Sequence, residues 1–168
     1  TLIVGPQERI RTLTEAAKLA RDGDVIEIRP GEYRGQPAVW TQDNLTIRAS
    51  STRPTLHADG KSAEGKALWV VRGGAVRIEN IEFRGVRVRD GNGAGIRFQR
   101  GRLRLRQCAF SDNQLGLLTG ADLGSTLAID ARLFETAPAN PGSLPHLLYV
   151  VHIVLLRLHG SALPPGRV

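Results

Sequence analysis

Val76-Arg77-Ile78-Glu79-Asn80-Ile81-Glu82-Phe83 returns, further along the chain, as Leu103-Arg104-Leu105-Arg106-Gln107-Cys108-Ala109-Phe110. Apolar residues alternate with charged ones at the start of each copy, then Asn or Gln breaks the alternation and an aromatic closes it. The same opening recurs as Leu45-x-Ile47, Leu127-x-Ile129 ending at Phe134, and Leu156-x-Leu158 ending at Leu163. Copies therefore start at 45, 76, 103, 127 and 156, at intervals of 31, 27, 24 and 29 residues. Each follows another short apolar run: Ala38–Trp40, Leu68–Val71, Gly95–Phe98, Leu115–Leu118 and Leu147–Val151. Units of this length with two or three strands predict coils of a parallel β-solenoid. The L-x-x-L-x-L-x-x-N pattern and the helix per unit of a leucine-rich repeat are missing.

Stacking makes a demand on the outward residues, because neighbouring strands lie roughly 4.8 Å apart. In the predicted register one outward column reads Arg48, Glu79, Arg106, Asp130, His159, with alternating sign over four coils. In-register opposite charges favour that alignment. The companion column reads Thr46, Arg77, Arg104, Ala128, Arg157, and there Arg77 meets Arg104 with no acid in the row. The inward set is Ile26, Ile28, Leu45, Ile47, Val76, Ile78, Leu103, Leu105, Leu127 and Ile129.

Upstream of the ladder the period changes from 2 to 3.6. Thr12 with Glu15 forms a capping-box pattern, and Leu13, Ala16, Ala17 and Ala20 share one face. A helix over about 12–21 is expected to lie as a lid on the first coil. The whole reading is an all-β solenoid, a right-handed parallel β-helix of about five turns with one N-terminal capping helix. It places one domain on 1–168, with coils over about 25–163.

Composition agrees with many turns: of 168 residues, 19 are Gly and 9 Pro, and aromatics are only 5%. The 23 basic residues outnumber 16 acidic ones for a net charge of +7, so anionic partners are favoured. Lys18, Lys61 and Lys66 are the only lysines, so 20 of the 23 are arginine, which suits bidentate recognition of carboxylate, sulfate or phosphate. One cysteine, Cys108, excludes an internal disulfide and a Cys-based zinc cluster. No apolar stretch reaches the ~18 residues of a membrane-spanning helix.

The segment Leu13-x-Glu15-Ala16-Ala17, Asp22-Gly23-Asp24-Val25-Ile26-Glu27-Ile28 and Pro30-Gly31-Glu32-Tyr33 resembles the N-terminal cap of the pectin-lyase-like right-handed parallel β-helix superfamily. Ile78-x-Asn80-Ile81-x-Phe83, Gly93-x-Gly95-Ile96 and Cys108-x-Phe110-x-Asp112-Asn113-x-x-Gly116-Leu117 extend the likeness over roughly 2–136. The resemblance implies a secreted or periplasmic protein that acts on or binds an anionic polysaccharide, lyase-like or hydrolase-like. The alternative is a non-catalytic glycan-binding or adhesive module. An Asp cluster with Gly-His-Gly is absent, and so is Trp-Ile-Asp-His, so no catalytic residue transfers by motif. Nucleic acid is disfavoured, since no aromatic-basic platform, helix-turn-helix or phosphate loop is visible.

Candidate site residues come from spacing. Asp59-Gly60 and Asp90-Gly91 each lie 12 residues after the second inward position, Ile47 and Ile78. If they share a surface, the two carboxylates could act in acid/base cleavage, or bind Ca²⁺ bridging a uronate, although no cofactor is evident. The plainer reading is that Asp-Gly favours turns. Arg97 is placed with Asp59 and Asp90 as catalytic, and Lys61, Lys66, Arg77 and Arg104 as substrate-binding. For the lysines the plainer reading is a solvated loop. Asp112-Asn113 reads as a turn, Cys108 as a core thiol, and Trp40 and Trp69 as packing residues. His57, His146, His152 and His159 have no metal-ligand spacing. The Pro-rich stretch Ala137–Leu144 and the apolar segment Leu144–Leu163 depart from the pattern. They suggest a chain whose end is covered by further coils or by self-association.

Overall fold

The structure is a computed structural model that describes residues 1–130, 148–149 and 155–159. Expectations for 137–147, His146, His152, Phe134 and the end of the chain lie outside the described residues.

The chain winds into a parallel β-solenoid of about five right-handed turns. Its elements in order are β1 (Leu2–Val4), α1 (Leu13–Leu19), β2 (Val25–Ile28), β3 (Glu32–Arg34) and β4 (Ala38–Trp40). Then come β5 (Leu45–Ala49), β6 (Thr55–His57), β7 (Ala67–Glu79), β8 (Glu82–Arg84) and β9 (Ala94–Arg106). The last are β10 (Ala109–Ser111), β11 (Leu115–Thr119), β12 (Thr126–Asp130), β13 (Leu148–Tyr149) and β14 (Leu155–His159).

Pairing divides each coil among three faces. The first face stacks β1, β2, β5, the C-terminal half of β7, the C-terminal half of β9, β12 and β14. The second stacks β3, β6, β8 and β10. The third stacks β4, the N-terminal halves of β7 and β9, β11 and β13. All of these pairings are parallel.

The expected register is present on the first face. Arg48 pairs with Glu79, Glu79 with Arg106, Arg106 with Asp130 and Asp130 with His159. All ten residues of the inward set are buried. Two boundaries differ from the sequence reading. Val76–Phe83 and Leu103–Phe110 are each two strands, because Asn80 (φ 56°) and Gln107 (φ 53°) turn a corner in left-handed conformation. Conversely, β7 and β9 each run continuously from the third face to the first. They bend at Gly73-Gly74 and Gly101, where the register shifts. At that corner the coils touch backbone to backbone, since a Cβ on Gly101 would lie 2.4 Å from the Gly74 carbonyl oxygen.

The core is one file of inward side chains, and its aromatics stack from coil to coil. Trp40 meets Trp69 edge-on at 5.2 Å, Trp69 meets Phe83 at 5.0 Å, and Phe83 stacks on Phe110 at 5.3 Å. Both tryptophans are fully buried, so they pack rather than offer a sugar platform. The lid is also as expected. The Thr12 side chain accepts from the Glu15 N–H at 3.1 Å, and Leu13, Ala16, Ala17 and Ala20 are buried. Gln42 donates to the carbonyls of Ala17 and Ala20, tying the helix end to the first coil.

Candidate functional site

The outward side of the first face is built by strand alternation: once Val76, Ile78, Leu103 and Leu105 point inward, Arg77, Glu79, Arg102, Arg104 and Arg106 must point out. Three columns result. One holds Glu27, Arg48, Glu79, Arg106 and Asp130, and its charges alternate. Among the described residues only Glu27 and Arg48 close an ion pair across two coils of this column, at 3.3 Å. The next holds Thr46, Arg77, Arg104 and Ala128. Arg77 and Arg104 are directly registered and exposed, and the nearest carboxylate is Glu79, 4.0 Å from Arg77 Nε. The third column holds Ala75, Arg102 and Thr126. Arg102 stands two residues from Arg104 on the same strand, and its field helps hold the Asp43 carboxyl low. The larger causes at Asp43 are the N–H groups of Ala75 and Asn44, so Asp43 is engaged at the corner. Arg77, Arg102 and Arg104 therefore form an exposed triangle without an in-register acid.

The sequence reading passes over Arg102, although its parity with Arg104 carries the signal. One site built from Asp59, Asp90, Arg97, Lys61, Lys66, Arg77 and Arg104 needs them on one surface, and the structure separates them. Asp59, Lys61, Lys66 and Asp90 lie in two nine-residue loops, 58–66 and 85–93, between the second and third faces. The shared 12-residue spacing does not put the two carboxylates opposite each other. Ile47 pairs with Ile78 and His57 with Arg84, yet His57 lies ten residues after Ile47 and Arg84 only six after Ile78, so the two chains are four residues out of step beyond this corner. Asp59 adopts φ 49° beside Gly60 at φ 73° in a turn closed by the Lys61 N–H on the Ala58 carbonyl. Asp90 occupies the third position of a different turn, closed by the Gly91 N–H on the Val88 carbonyl. Its carboxylate is exposed and takes Lys66 Nζ at 3.4 Å.

Arg97 is on the third face, registered between Val70 and Leu118, and its Nε is buried without a hydrogen-bond partner. The structure thus brings together Arg77 with Arg104, and Lys66 with Asp90. It does not bring either pair to the other.

Asp112, Asn113, Gln114 and Cys108 hold the coils together. Asp112, rather than Asn113, takes the left-handed conformation, at φ 52°. Asn113 accepts from the Val86 N–H and donates to the Phe83 carbonyl, and Gln114 accepts from the Val88 and Gly93 N–H groups. These amides fasten the 85–93 loop to the next coil. Cys108 is buried, and burial pushes its thiol up to about 11. Among the described residues no three His, Cys, Asp or Glu side chains gather as a metal site, and no helix is long and apolar enough to cross a membrane. Compared with known proteins, the chain matches no protein-family model, no curated protein and no solved structure.

Proposed function

We propose that this chain binds an anionic polysaccharide along the first face of the solenoid, as a recognition module rather than as a catalyst. The observation that carries the reading is the registered pairing of Arg77 with Arg104, with no acid in their own column and only Glu79 beside Arg77 at 4.0 Å, extended by Arg102. Like charges directly opposite on a sheet destabilise it, and a bridging anion relieves that cost. Parallel stacking also repeats equivalent positions coil after coil, which suits an extended polymer. Binding is preferred to cleavage because the two candidate carboxylates are engaged in different turns, one of them ion-paired, on loops away from the arginine triangle. The choice of glycan, the pectin-lyase-like kinship and a secreted or periplasmic location rest on the resemblance of the cap and coil motifs.

Affinity electrophoresis in gels containing polygalacturonate, alginate, a sulfated glycan or neutral dextran tests the proposal. Retardation by at least one anionic glycan and not by dextran is expected, weakening as salt rises. Arg77→Gln with Arg104→Gln should abolish it. Unsaturated product or new reducing ends on incubation would overturn the non-catalytic reading. Equal mobility in all gels would overturn glycan binding itself.

A further inference from the structure

We infer that the Arg77–Arg104–Arg102 triangle recognises sulfate esters rather than carboxylates, so that the ligand of the first face is a sulfated glycan; this rests on the glycan-binding reading above. A guanidinium is a planar fork whose two parallel N–H groups match the two oxygens of one carboxylate. A carboxylate taken by Arg104 in that way keeps only the outer lone pair of each oxygen, which point apart and cannot meet a second fork with both oxygens. Arg77, one coil away at roughly the 4.8 Å strand spacing, could then donate at most a single bond to that carboxylate, with Glu79 4.0 Å from its Nε as its other acid. A sulfate ester has three free oxygens splayed tetrahedrally, so one group can accept from forks arriving from two adjacent coils.

The columns support a ligand that brings its charges to this place. Thr46 and Ala128 flank the arginine pair along its column, and Ala75 and Thr126 flank Arg102 along the next. The carboxylates nearest the triangle lie outside these columns: Glu79 is 4.0 Å from Arg77 Nε, and Asp43, which interacts with Arg102, is already held by the N–H groups of Ala75 and Asn44. Arg102 lies two residues from Arg104, about 6.7 Å along the strand. The triangle therefore asks for anionic groups about 5–7 Å apart on one side of the polymer. A polyuronate carries one carboxylate per sugar and turns successive carboxylates to different sides. A densely sulfated chain offers several charges per sugar pair and meets the spacing on one side.

Fluorescence anisotropy at 0.15 M salt decides this with three labelled probes of matched length: a heparin-derived oligosaccharide, its chemically desulfated form and oligogalacturonate. Desulfation is expected to weaken binding at least tenfold, with oligogalacturonate equally weak. Arg77→Gln with Arg104→Gln should remove that preference. Arg48→Gln, which removes a guanidinium already paired with Glu27, should keep it. If oligogalacturonate binds as tightly as the sulfated probe, the sulfate inference falls and glycan binding stands. If no glycan probe binds, or a single-stranded DNA of equal length binds more tightly than all of them, the underlying reading falls as well.

Discussion

Replacing Gly101 by alanine tests whether the coils are held at the packing distance that the register requires. Gly101 sits at φ 106°, outside the region that L side chains adopt, and a Cβ there would lie 2.4 Å from the Gly74 carbonyl oxygen and 2.9 Å from the Gly73 carbonyl carbon. A non-glycine residue held in such a conformation costs about 1–3 kcal/mol. Forcing extra volume into a packed contact adds a further 1–3 kcal/mol or so. Gly91 is the matched control: its φ is 75°, yet a Cβ would meet nothing within 4 Å. Gly91→Ala should therefore cost about 1–2 kcal/mol, from conformation alone. The difference between the two variants, about 2 kcal/mol, comes mainly from backbone contact between coils, with a smaller part from the more extreme φ of Gly101. In urea, with a slope of about 2 kcal/mol/M for a small protein, that difference moves the midpoint by about 1 M. Equal midpoints for Gly101→Ala and Gly91→Ala would refute the close corner, and with it the bend that carries β7 and β9 from the third face to the first.

Two more predictions concern the interior. Cys108, with its thiol pushed up by burial, should resist iodoacetamide at pH 8 in the folded protein and react once urea unfolds it. Because its folded value is raised to about 11, the stability it contributes is complete below the ordinary thiol range. That contribution declines as pH climbs from about 9 towards 11, and a Cys108→Ala variant should lose this part of the alkaline decline. Asn113→Ala leaves the Val86 N–H without its acceptor and removes the side-chain donor to the Phe83 carbonyl, which β10 still pairs, so it should destabilise by about 1–3 kcal/mol in denaturant melts. Asn113→Asp, which keeps the acceptor but sets a carboxylate oxygen against the Phe83 carbonyl, should also destabilise, and more so above the ordinary carboxylate range than below it.

How far the fold is legible depends on which physical constraint a residue obeys. The inward residues of the first face, such as Ile78 and Leu105, are readable because a slip of one residue would turn every one of them to solvent. The charged column from Arg48 to Asp130 checks the alignment independently. The second face is harder to read, since its strands are three residues long: Glu82–Arg84 and Ala109–Ser111 hold one inward aromatic each. Three residues cannot display an alternation, so the sequence reading merges them with the strand before. The corner between faces is hidden for a related reason. Asn80 and Gln107 carry the left-handed turn, and Gln gives no sequence signal for it.

The same distinction explains which part of the candidate site is legible. A residue on a strand inherits its place from the register, so Arg77 and Arg104 can be paired from sequence with no knowledge of the loops. A loop residue inherits its place from the lengths of every link before it. The four extra residues from Ile47 to His57, compared with Ile78 to Arg84, displace Asp59 relative to Asp90 while leaving Ile47 opposite Ile78. Equal spacing from a strand therefore does not mean equal position beyond a corner. For a solenoid this orders the search for function. Strand columns can be assembled first, and their unbalanced charges reveal what the surface lacks. Loop residues can be added only after the strand on their far side has been registered, as Ala67 with Ala94 does for both nine-residue loops here. On that ordering the Arg77–Arg104 column, which has no acid of its own, is the first place to test for binding, and the carboxylates of the loops come after it.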